Sequence, residues 1–344
     1  MITTTTRDGI WHNLKHYISN ALLLWAVIAL YKYSSYYSNF LRQETQQAFL
    51  YLGLAYTIGG LAVHLALPAR KIGRNKGTVV LGLVKKIVGF SLIKLFRGSC
   101  SLKLESYEKT TVLFLAVKIF FTPLMINFAF DNYFVILNQA TTIIHQGGIF
   151  SIAGFNNIIF PIILTGVFLL DTLYFSFGYI FDAGFLKNTI RSVDPTIFGW
   201  AVALVCYPPF NSFYGKYVTW YANDYVQFGS ETATFLMRII ISLFLLGYLS
   251  ATLALGTKCS NLTNRGIVTT GPYALIRHPA YICKNIAWWI TILPVMGVGA
   301  FLSMLSWSVI YFFRAVTEER HLRKDPDYQE YCRKVKHRFI PGII

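Results

Sequence analysis

Residues 270–281 read Thr-Gly-Pro-Tyr-Ala-Leu-Ile-Arg-His-Pro-Ala-Tyr, and residues 312–322 read Phe-Phe-Arg-Ala-Val-Thr-Glu-Glu-Arg-His-Leu. The segment between them is apolar and long enough to cross a membrane and return as a helical hairpin. The Arg-His-Pro turn and the charged helix end are therefore expected at the same membrane face. Polar groups concentrated there cost free energy unless they hold something, which predicts a cofactor pocket on that face.

The whole composition is typical of a membrane protein. Of the 344 residues, 55% are hydrophobic and 13% are charged, whereas about a quarter of the residues in a typical soluble domain are charged. Apolar runs of about 20 residues, the length that spans a bilayer, recur along the chain. We expect an all-α polytopic membrane protein with about eight transmembrane helices. The predicted spans lie near residues 18–36, 47–68, 110–130, 158–181, 196–215, 234–256, 281–296 and 299–316.

The basic residues predict the orientation. Lysines and arginines crowd residues 70–109 and the tail after Phe313, whereas residues 131–157 contain none. Because basic loops stay on the cytoplasmic side, both termini and the Arg-His-Pro turn are predicted there. A bacterial inner membrane is expected, with the endoplasmic reticulum as the alternative. The net charge of +16 then reflects topology and anionic membrane lipids, so nucleic acid is not an expected partner.

Within the basic connection, residues 79–96 mix apolar side chains with three lysines. This pattern predicts an amphipathic helix that lies on the cytoplasmic leaflet. A gate for lateral access of a lipid substrate is the alternative. No motif of a soluble nucleotide-binding domain or of a zinc protease occurs. His321 and His337 lie in a basic tail without further ligands, so no metal is expected.

The Arg-His-Pro turn carries groups that suit a charged ligand. Pro279 fits the first turn of a helix, and the amides after it can receive an anion. Arg277 adds a planar cation that suits a carboxylate. Tyr273 and Tyr281 offer ring faces to a base or a sulfonium, and His278 can exchange a hydrogen bond at the membrane boundary. Positive-inside topology and an interfacial tyrosine belt are the plainer interpretations.

The charged helix end strengthens this prediction. Arg314 and Glu318 lie four residues apart and share a helix face, and Glu319 and Arg323 repeat the spacing. Two carboxylates at this place suit ribose hydroxyls or an ammonium group. Arg314 lies deeper and requires an anionic partner, which favours a substrate or cofactor. Exposed salt bridges, which contribute little, are the alternative.

Two features farther upstream predict an acceptor site. Asp171 lies inside an apolar span, where an ionisable group is a functional candidate by default. A structural pair with a basic residue is the alternative. Tyr207-Pro-Pro-Phe210 must break or bend its helix, and Tyr207 is the second candidate for contact with the substrate. His64, near the end of a span, is expected to be a packing residue.

Four stretches resemble the isoprenylcysteine carboxyl methyltransferase family: Thr269-Thr-Gly-Pro-Tyr273, Arg277-His-Pro-Ala-Tyr281, Phe312-Phe-Arg314 and Thr317-Glu-Glu319. The wider superfamily includes phospholipid N-methyltransferases. The resemblance covers roughly the last quarter of the chain and implies S-adenosylmethionine bound at the cytoplasmic side. It implies that Arg314 and Glu318 lie nearest the reacting groups, as the catalytic residues. The predicted cofactor-binding residues are Gly271, Pro272, Tyr273, Arg277, His278, Pro279, Tyr281, Glu318 and Glu319.

The predicted function is that of a membrane methyltransferase that uses S-adenosylmethionine. Residues 231–344 are expected to form its catalytic half, and residues 1–230 a half that binds the acceptor and faces lipid. Arg320 and His321 replace an acidic run of the family, so the acceptor need not be a prenylated cysteine. A lipophilic or lipidated carboxylate needs no general base, whereas an amine would need His278 or Glu318. Both remain open.

Two other functions compete with this prediction. Membrane sterol reductases resemble the C-terminal architecture and use NADPH, but the Gly-Pro-Tyr and Thr-Glu-Glu elements favour the methyltransferase. A transporter or scaffold is the non-enzymatic alternative. Its polar residues would line a path through the membrane, whereas here they cluster at one face.

Overall fold

The computed structural model describes residues 7–66, 76–97, 104–146 and 150–342. Helices dominate it, as predicted. They are α1 Arg7–Tyr33, α2 Ser35–Phe40, α3 Gln43–Ala66, α4 Lys76–Arg97, α5 Ser106–Gln146, α6 Ile152–Gly154, α7 Phe160–Ile180, α8 Ile197–Leu204, α9 Phe210–Gly215, α10 Glu231–Leu255, α11 Pro279–Thr291, α12 Val298–Leu322 and α13 Pro326–Lys334. Two strands of two residues each, β1 Ser192–Val193 and β2 Thr263–Asn264, pair antiparallel. The all-α prediction did not include this small sheet.

Six helical stretches of the described chain are long and apolar enough to cross a membrane. They are Gly9–Tyr33, Gln43–Ala66, Ser106–Thr141, Ile152–Ile180, Glu231–Lys258 and Val298–Leu322. Two of the predicted spans, residues 196–215 and 281–296, are therefore not among these stretches. The span predicted at 196–215 consists of α8 and α9, which are separated at Pro208–Pro209 because proline has no N–H to continue a helix. Helix α11 has 13 residues, which corresponds to about 20 Å against a hydrocarbon core of about 30 Å.

The chain forms two compact units, residues 1–127 and 128–344. In the first unit, α1 packs along α3 and against α4. Helix α4 contains the predicted amphipathic segment, and its Lys86 pairs with Glu108. His64 lies against the ring of Tyr17 and its Nδ1 is 2.9 Å from the carbonyl oxygen of Gly60. The basic residues at 70–74 and 103 lie outside the described residues.

In the second unit, α10 packs against both α7 and α11. Leucine, isoleucine and phenylalanine side chains of α7 and α10 form a buried core that also includes Ala287 of α11. Ser230 is the N-cap of helix α10: its hydroxyl accepts a hydrogen bond from the amide of Ala233 at 3.1 Å, a typical arrangement. Helices α11 and α12 contact each other and are joined by a short turn at residues 293–295, but of the two only α12 is long and apolar enough to cross a membrane.

One close approach fixes the loop that follows α10. A Cβ atom at Gly178 would lie 2.0 Å from the carbonyl oxygen of Cys259. Only glycine therefore lets α7 touch this backbone. The contact brings the loop of residues 259–264 against α7, and this loop carries Asn261 and β2.

Candidate functional site

Glu319 is the centre of an ion cluster at the end of α12. Its carboxylate is 1% exposed. Oε1 accepts hydrogen bonds from Arg277 at 2.9 Å and Arg338 at 3.0 Å, and it lies 3.2 Å from Nε2 of His278. Oε2 accepts from Arg338 at 2.8 Å and from Arg323 at 3.5 Å. The hydrogen bond with Glu319 raises the pKa of Arg338.

The same cluster fastens the C-terminal tail to the Arg-His-Pro turn. The amide of Arg277 donates to the carbonyl of His337 at 3.0 Å, and the next amide, of His278, donates to the carbonyl of Arg338 at 2.9 Å. The guanidinium of Arg277 also donates to the carbonyls of Val335 and Lys336, at 2.9 and 2.6 Å. The turn and the tail are thus held together by backbone and side-chain hydrogen bonds.

The Gly-Pro-Tyr residues 271–273 precede the Arg-His-Pro turn and also contact the C-terminal tail. Gly271 has φ +62°, a left-handed conformation that favours glycine, and Pro272 follows it inside a short 3-10 turn. The carbonyl of Tyr273 accepts a hydrogen bond from the hydroxyl of Tyr331 at 2.7 Å. Burial raises the pKa of Tyr273. Tyr273 packs with Tyr328 and Tyr331 of α13, so the tyrosine-rich tail docks on it.

Tyr281 and Glu318 meet although they are 37 residues apart. The hydroxyl of Tyr281 donates to Oε2 of Glu318 at 2.9 Å. The imidazole of His278 stacks on the ring of Tyr281, with centroids 5.3 Å apart and planes 7° apart. Pro279 begins α11 between them. Glu318 is exposed, whereas the neighbouring Glu319 is buried.

Arg314 lies buried one turn before Glu318. Its guanidinium donates to Oδ1 of Asn261 at 3.0 Å. It lies 5.3 Å from the ring centroids of both Tyr281 and Tyr311, and 5.8 Å from that of Tyr207. In the described part of the chain no carboxylate pairs with it. Three tyrosine rings and one amide oxygen are therefore its surroundings.

The two predicted acceptor residues lie next to this cation. Tyr207 precedes the double proline, and its hydroxyl accepts a hydrogen bond from Asn261 at 3.2 Å. The buried carboxylate of Asp171 accepts a hydrogen bond from the hydroxyl of Thr252 at 2.6 Å. Asp171 also interacts electrostatically with Tyr207 and with Lys284 of α11. The structure thus groups Asp171, Tyr207 and Arg314.

The predicted site residues divide into two groups. Arg277, His278 and Glu319 bond to one another and to the tail, so contact of Arg277 or Glu319 with a cofactor stays a prediction. Tyr281, Glu318 and Arg314 lie together, but their contacts with one another do not use all of their hydrogen-bonding groups. The sequence interpretation missed Asn261, Arg338 and Lys284. A signal existed for Lys284, a cation inside an apolar segment.

The groups present suit S-adenosylmethionine. The exposed carboxylate of Glu318 can accept hydrogen bonds from ribose hydroxyls or an ammonium group. The rings of His278 and Tyr281 can face a base or a sulfonium. Arg314 offers unfilled N–H donors to an anion. Among the described residues, no group of three or more histidine, cysteine, aspartate or glutamate side chains could hold a metal ion.

Comparison with known proteins shows which families resemble the C-terminal region of the chain. Residues 232–326 match the family described as phospholipid methyltransferase. The match confirms the predicted relationship of the C-terminal region to the isoprenylcysteine and phospholipid methyltransferase superfamily. The chain is also similar to the cobalt-zinc-cadmium resistance protein CzcN of Cupriavidus metallidurans, with 30% identity over 122 residues. That alignment covers 32% of this chain and 53% of the relative, about half of its length.

The match and the helices agree on the broad class. The six long apolar helices indicate an integral membrane protein, and the match of residues 232–326 favours a membrane methyltransferase. It does not favour the sterol-reductase or the transporter alternative.

Proposed function

We propose that the protein is an integral membrane methyltransferase that uses S-adenosylmethionine and acts on a lipophilic acceptor. The hydrogen bond between Tyr281 and Glu318, beside the buried Arg314, is the observation that carries the proposal. These residues belong to the region that matches a methyltransferase family. They bring an aromatic face, a carboxylate and a cation to one end of the α11–α12 hairpin.

The proposed cofactor end comprises the two rings and the exposed carboxylate. Glu318 accepts hydrogen bonds from ribose or ammonium groups, while Tyr281 and His278 present their ring faces. Gly271, Pro272, Tyr273 and Pro279 shape the adjoining backbone. Arg277 and Glu319 hold the turn and the tail in place around it. When bound, S-adenosylmethionine supplies a methyl group on a sulfonium.

The proposed acceptor end lies around Arg314, with Tyr207 and Asp171 beside it. Asp171 belongs to α7 and Tyr207 to the turn between α8 and α9, and helices before residue 231 expose apolar side chains that suit a lipid tail. Residues 231–344 supply the cofactor end, which retains the functional division expected from the sequence. An acceptor oxygen or nitrogen held there would receive the methyl group that bound S-adenosylmethionine would supply. Arg314 orients the acceptor and stabilises charge at the reacting end.

The cytoplasm is the proposed source of the cofactor, because the distribution of basic residues predicts the hairpin end and both termini on that side. A bacterial inner membrane is the proposed location. The acceptor enters from the lipid phase, so membrane lipids or lipidated molecules are the proposed partners.

Titration of the purified protein with S-adenosylmethionine and with NADPH tests the proposal. We expect S-adenosylmethionine to bind and NADPH not to bind. Glu318→Ala should weaken binding by about tenfold or more, since it removes a charged hydrogen-bond acceptor. Glu330→Ala is the matched control, because Glu330 pairs with Lys334 and both side chains are mostly exposed. A preference for NADPH, or equal affinity in Glu318→Ala and wild type, would contradict the proposal.

A further inference from the structure

Lys284 is a cation that none of the roles above uses. It lies on α11, three residues after Tyr281. Its ammonium is 5.1 Å from the ring centroids of Tyr248 and Trp288 and 5.3 Å from that of Phe168. Three helices contribute these rings or the lysine itself, so the cage is built by tertiary packing. We call Lys284 and its three rings the aromatic cage.

No carboxylate lies within ion-pairing distance of this ammonium in the described chain. Asp171 and Asp224 attract it from farther away, and Arg314 repels it. Asp171 has its own hydrogen bond, from Thr252. The ammonium carries three N–H donors, and ring faces satisfy its charge but accept no normal hydrogen bond. The cage therefore holds a cation whose donors are unfilled.

The cage and Arg314 form one electrostatic feature. Lys284 lies over the ring of Trp288 and Arg314 over that of Tyr311, and these two rings are in contact with centroids 5.3 Å apart. The two cations repel each other, and neither is ion-paired within the described residues. Two such cations cost free energy in an apolar interior unless an anion joins them. An ammonium group would be repelled by both. A carboxylate or phosphate oxygen would instead receive hydrogen bonds from both.

We infer that Lys284 is a specificity-determining residue that binds, together with Arg314, an oxyanion on the lipophilic acceptor. This inference rests on the proposed function and narrows its acceptor from a carboxylate or an amine to an anionic lipid-like molecule. The oxyanion is a carboxylate or a phosphate, and both share the chemistry that the two cations recognise. The aromatic cage keeps the ammonium in place while its donors point to the ligand.

Four probes with the same hexadecyl chain test the head-group preference: hexadecanoate, hexadecyl phosphate, hexadecylamine and hexadecanol. Their binding is measured at pH 8.5 on the full chain in nanodiscs of phosphatidylcholine, without cofactor. Wild type should bind hexadecanoate or hexadecyl phosphate at least about tenfold more tightly than hexadecanol, and hexadecylamine no more tightly than hexadecanol. The anionic probe that binds more tightly identifies the oxyanion as a carboxylate or as a phosphate.

Matched variants assign the preference to Lys284. In Lys284→Met the anionic probes should lose about tenfold or more in affinity, while Lys284→Arg should retain the preference because it keeps the charge. Lys324→Met makes the same chemical change at an exposed lysine and should bind like wild type. Unchanged anion binding in Lys284→Met overturns the inference. So does a wild type without anion preference, and this result needs no variant to fold.

A parallel titration with S-adenosylmethionine separates this inference from the proposed function. Lys284→Met should bind the cofactor like wild type. Wild type that binds the cofactor but shows no anion preference overturns the role of Lys284 alone, and so does Lys284→Met that keeps the preference. Absence of cofactor binding in wild type overturns the proposed function, whatever the probes show.

Discussion

Two charged clusters lie on the same helix, α12, and differ in how the protein compensates their charges. Around Glu319, three arginines and a histidine surround one buried carboxylate, and both carboxylate oxygens are bonded. Around Arg314, which precedes it by five residues, the cation meets aromatic rings and one amide oxygen. Groups of the protein compensate the charge of Glu319, whereas within the described residues no carboxylate compensates the charge of Arg314.

We interpret the cluster around Glu319 as structural support and the cluster around Arg314 as a site of ligand recognition. A buried carboxylate that holds a tail by several bonds contributes to the native arrangement, and removal of one partner leaves the others uncompensated. A buried cation without a carboxylate has no such compensation inside the protein. Unpaired charges of this kind are typical of binding sites. We therefore expect the two clusters to respond to mutation in opposite ways.

Removal of Glu319 should have the largest effect on stability. Glu319→Ala leaves Arg277 and Arg338 with repulsive charges and no common acceptor. We expect a loss of about 3–5 kcal/mol in the free energy of unfolding, as for other broken buried ion pairs. Unfolding in mixed micelles with increasing sodium dodecyl sulfate measures it. Glu330→Ala, in an exposed pair, should change it by less than about 0.5 kcal/mol. Equal stability of the two variants would remove the distinction between the clusters.

Arg314 should show the opposite profile, with a large loss of activity and a smaller loss of stability. Arg314→Ala should lower the rate of methyl transfer by about 10²–10³-fold, because it removes a preorganised cation. The orphaned Asn261 oxygen should cost about 1–3 kcal/mol of stability. Transfer of isotopically labelled methyl groups into lipid extracts, followed by mass spectrometry, measures the rate. Full activity of Arg314→Ala in a folded protein would contradict the assignment.

The sequence predicted the end of the hairpin well because local rules determine it. Pro279 begins a helix, and Tyr281 and Glu318 were expected at one membrane face from the length of the apolar segment between them. Their hydrogen bond at 2.9 Å shows that the two side chains meet, whereas their place at a membrane face stays a prediction. The turn before α9 was also expected, because the double proline cannot continue a helix.

Other parts were beyond prediction because tertiary packing decides them. Glu318 and Glu319 are neighbours, about 100° apart around a helix, and the sequence does not tell which one faces the tail. Asn261 reaches Arg314 only because Gly178 admits the loop that carries it. The apolar composition of residues 196–215 resembles a span, so the predicted count of eight exceeds the six long apolar helices of the described chain.

The smallest effect concerns a third, more exposed cluster that anchors the start of α13. Burial alone would raise the pKa of Asp325, but hydrogen bonds from Asn264 at 2.7 Å and Arg191 at 2.8 Å hold it below its ordinary value. Arg191 is 47% exposed, so solvent weakens this pair. Because the pKa is lower in the folded state, the stabilisation is complete above the ordinary aspartate value of about 3.9 and is lost as pH falls through the lowered folded value.

Docking of α13 should therefore be constant between about pH 5 and 8 and weaken only below about pH 4. Hydrogen exchange of residues 326–334, corrected for the intrinsic effect of pH on exchange, measures it. Asp325→Asn should dock more weakly at neutral pH and lose the acid transition. An acid transition that begins near pH 6.5 instead would point to a histidine. The contrast would then rest on the first two clusters alone.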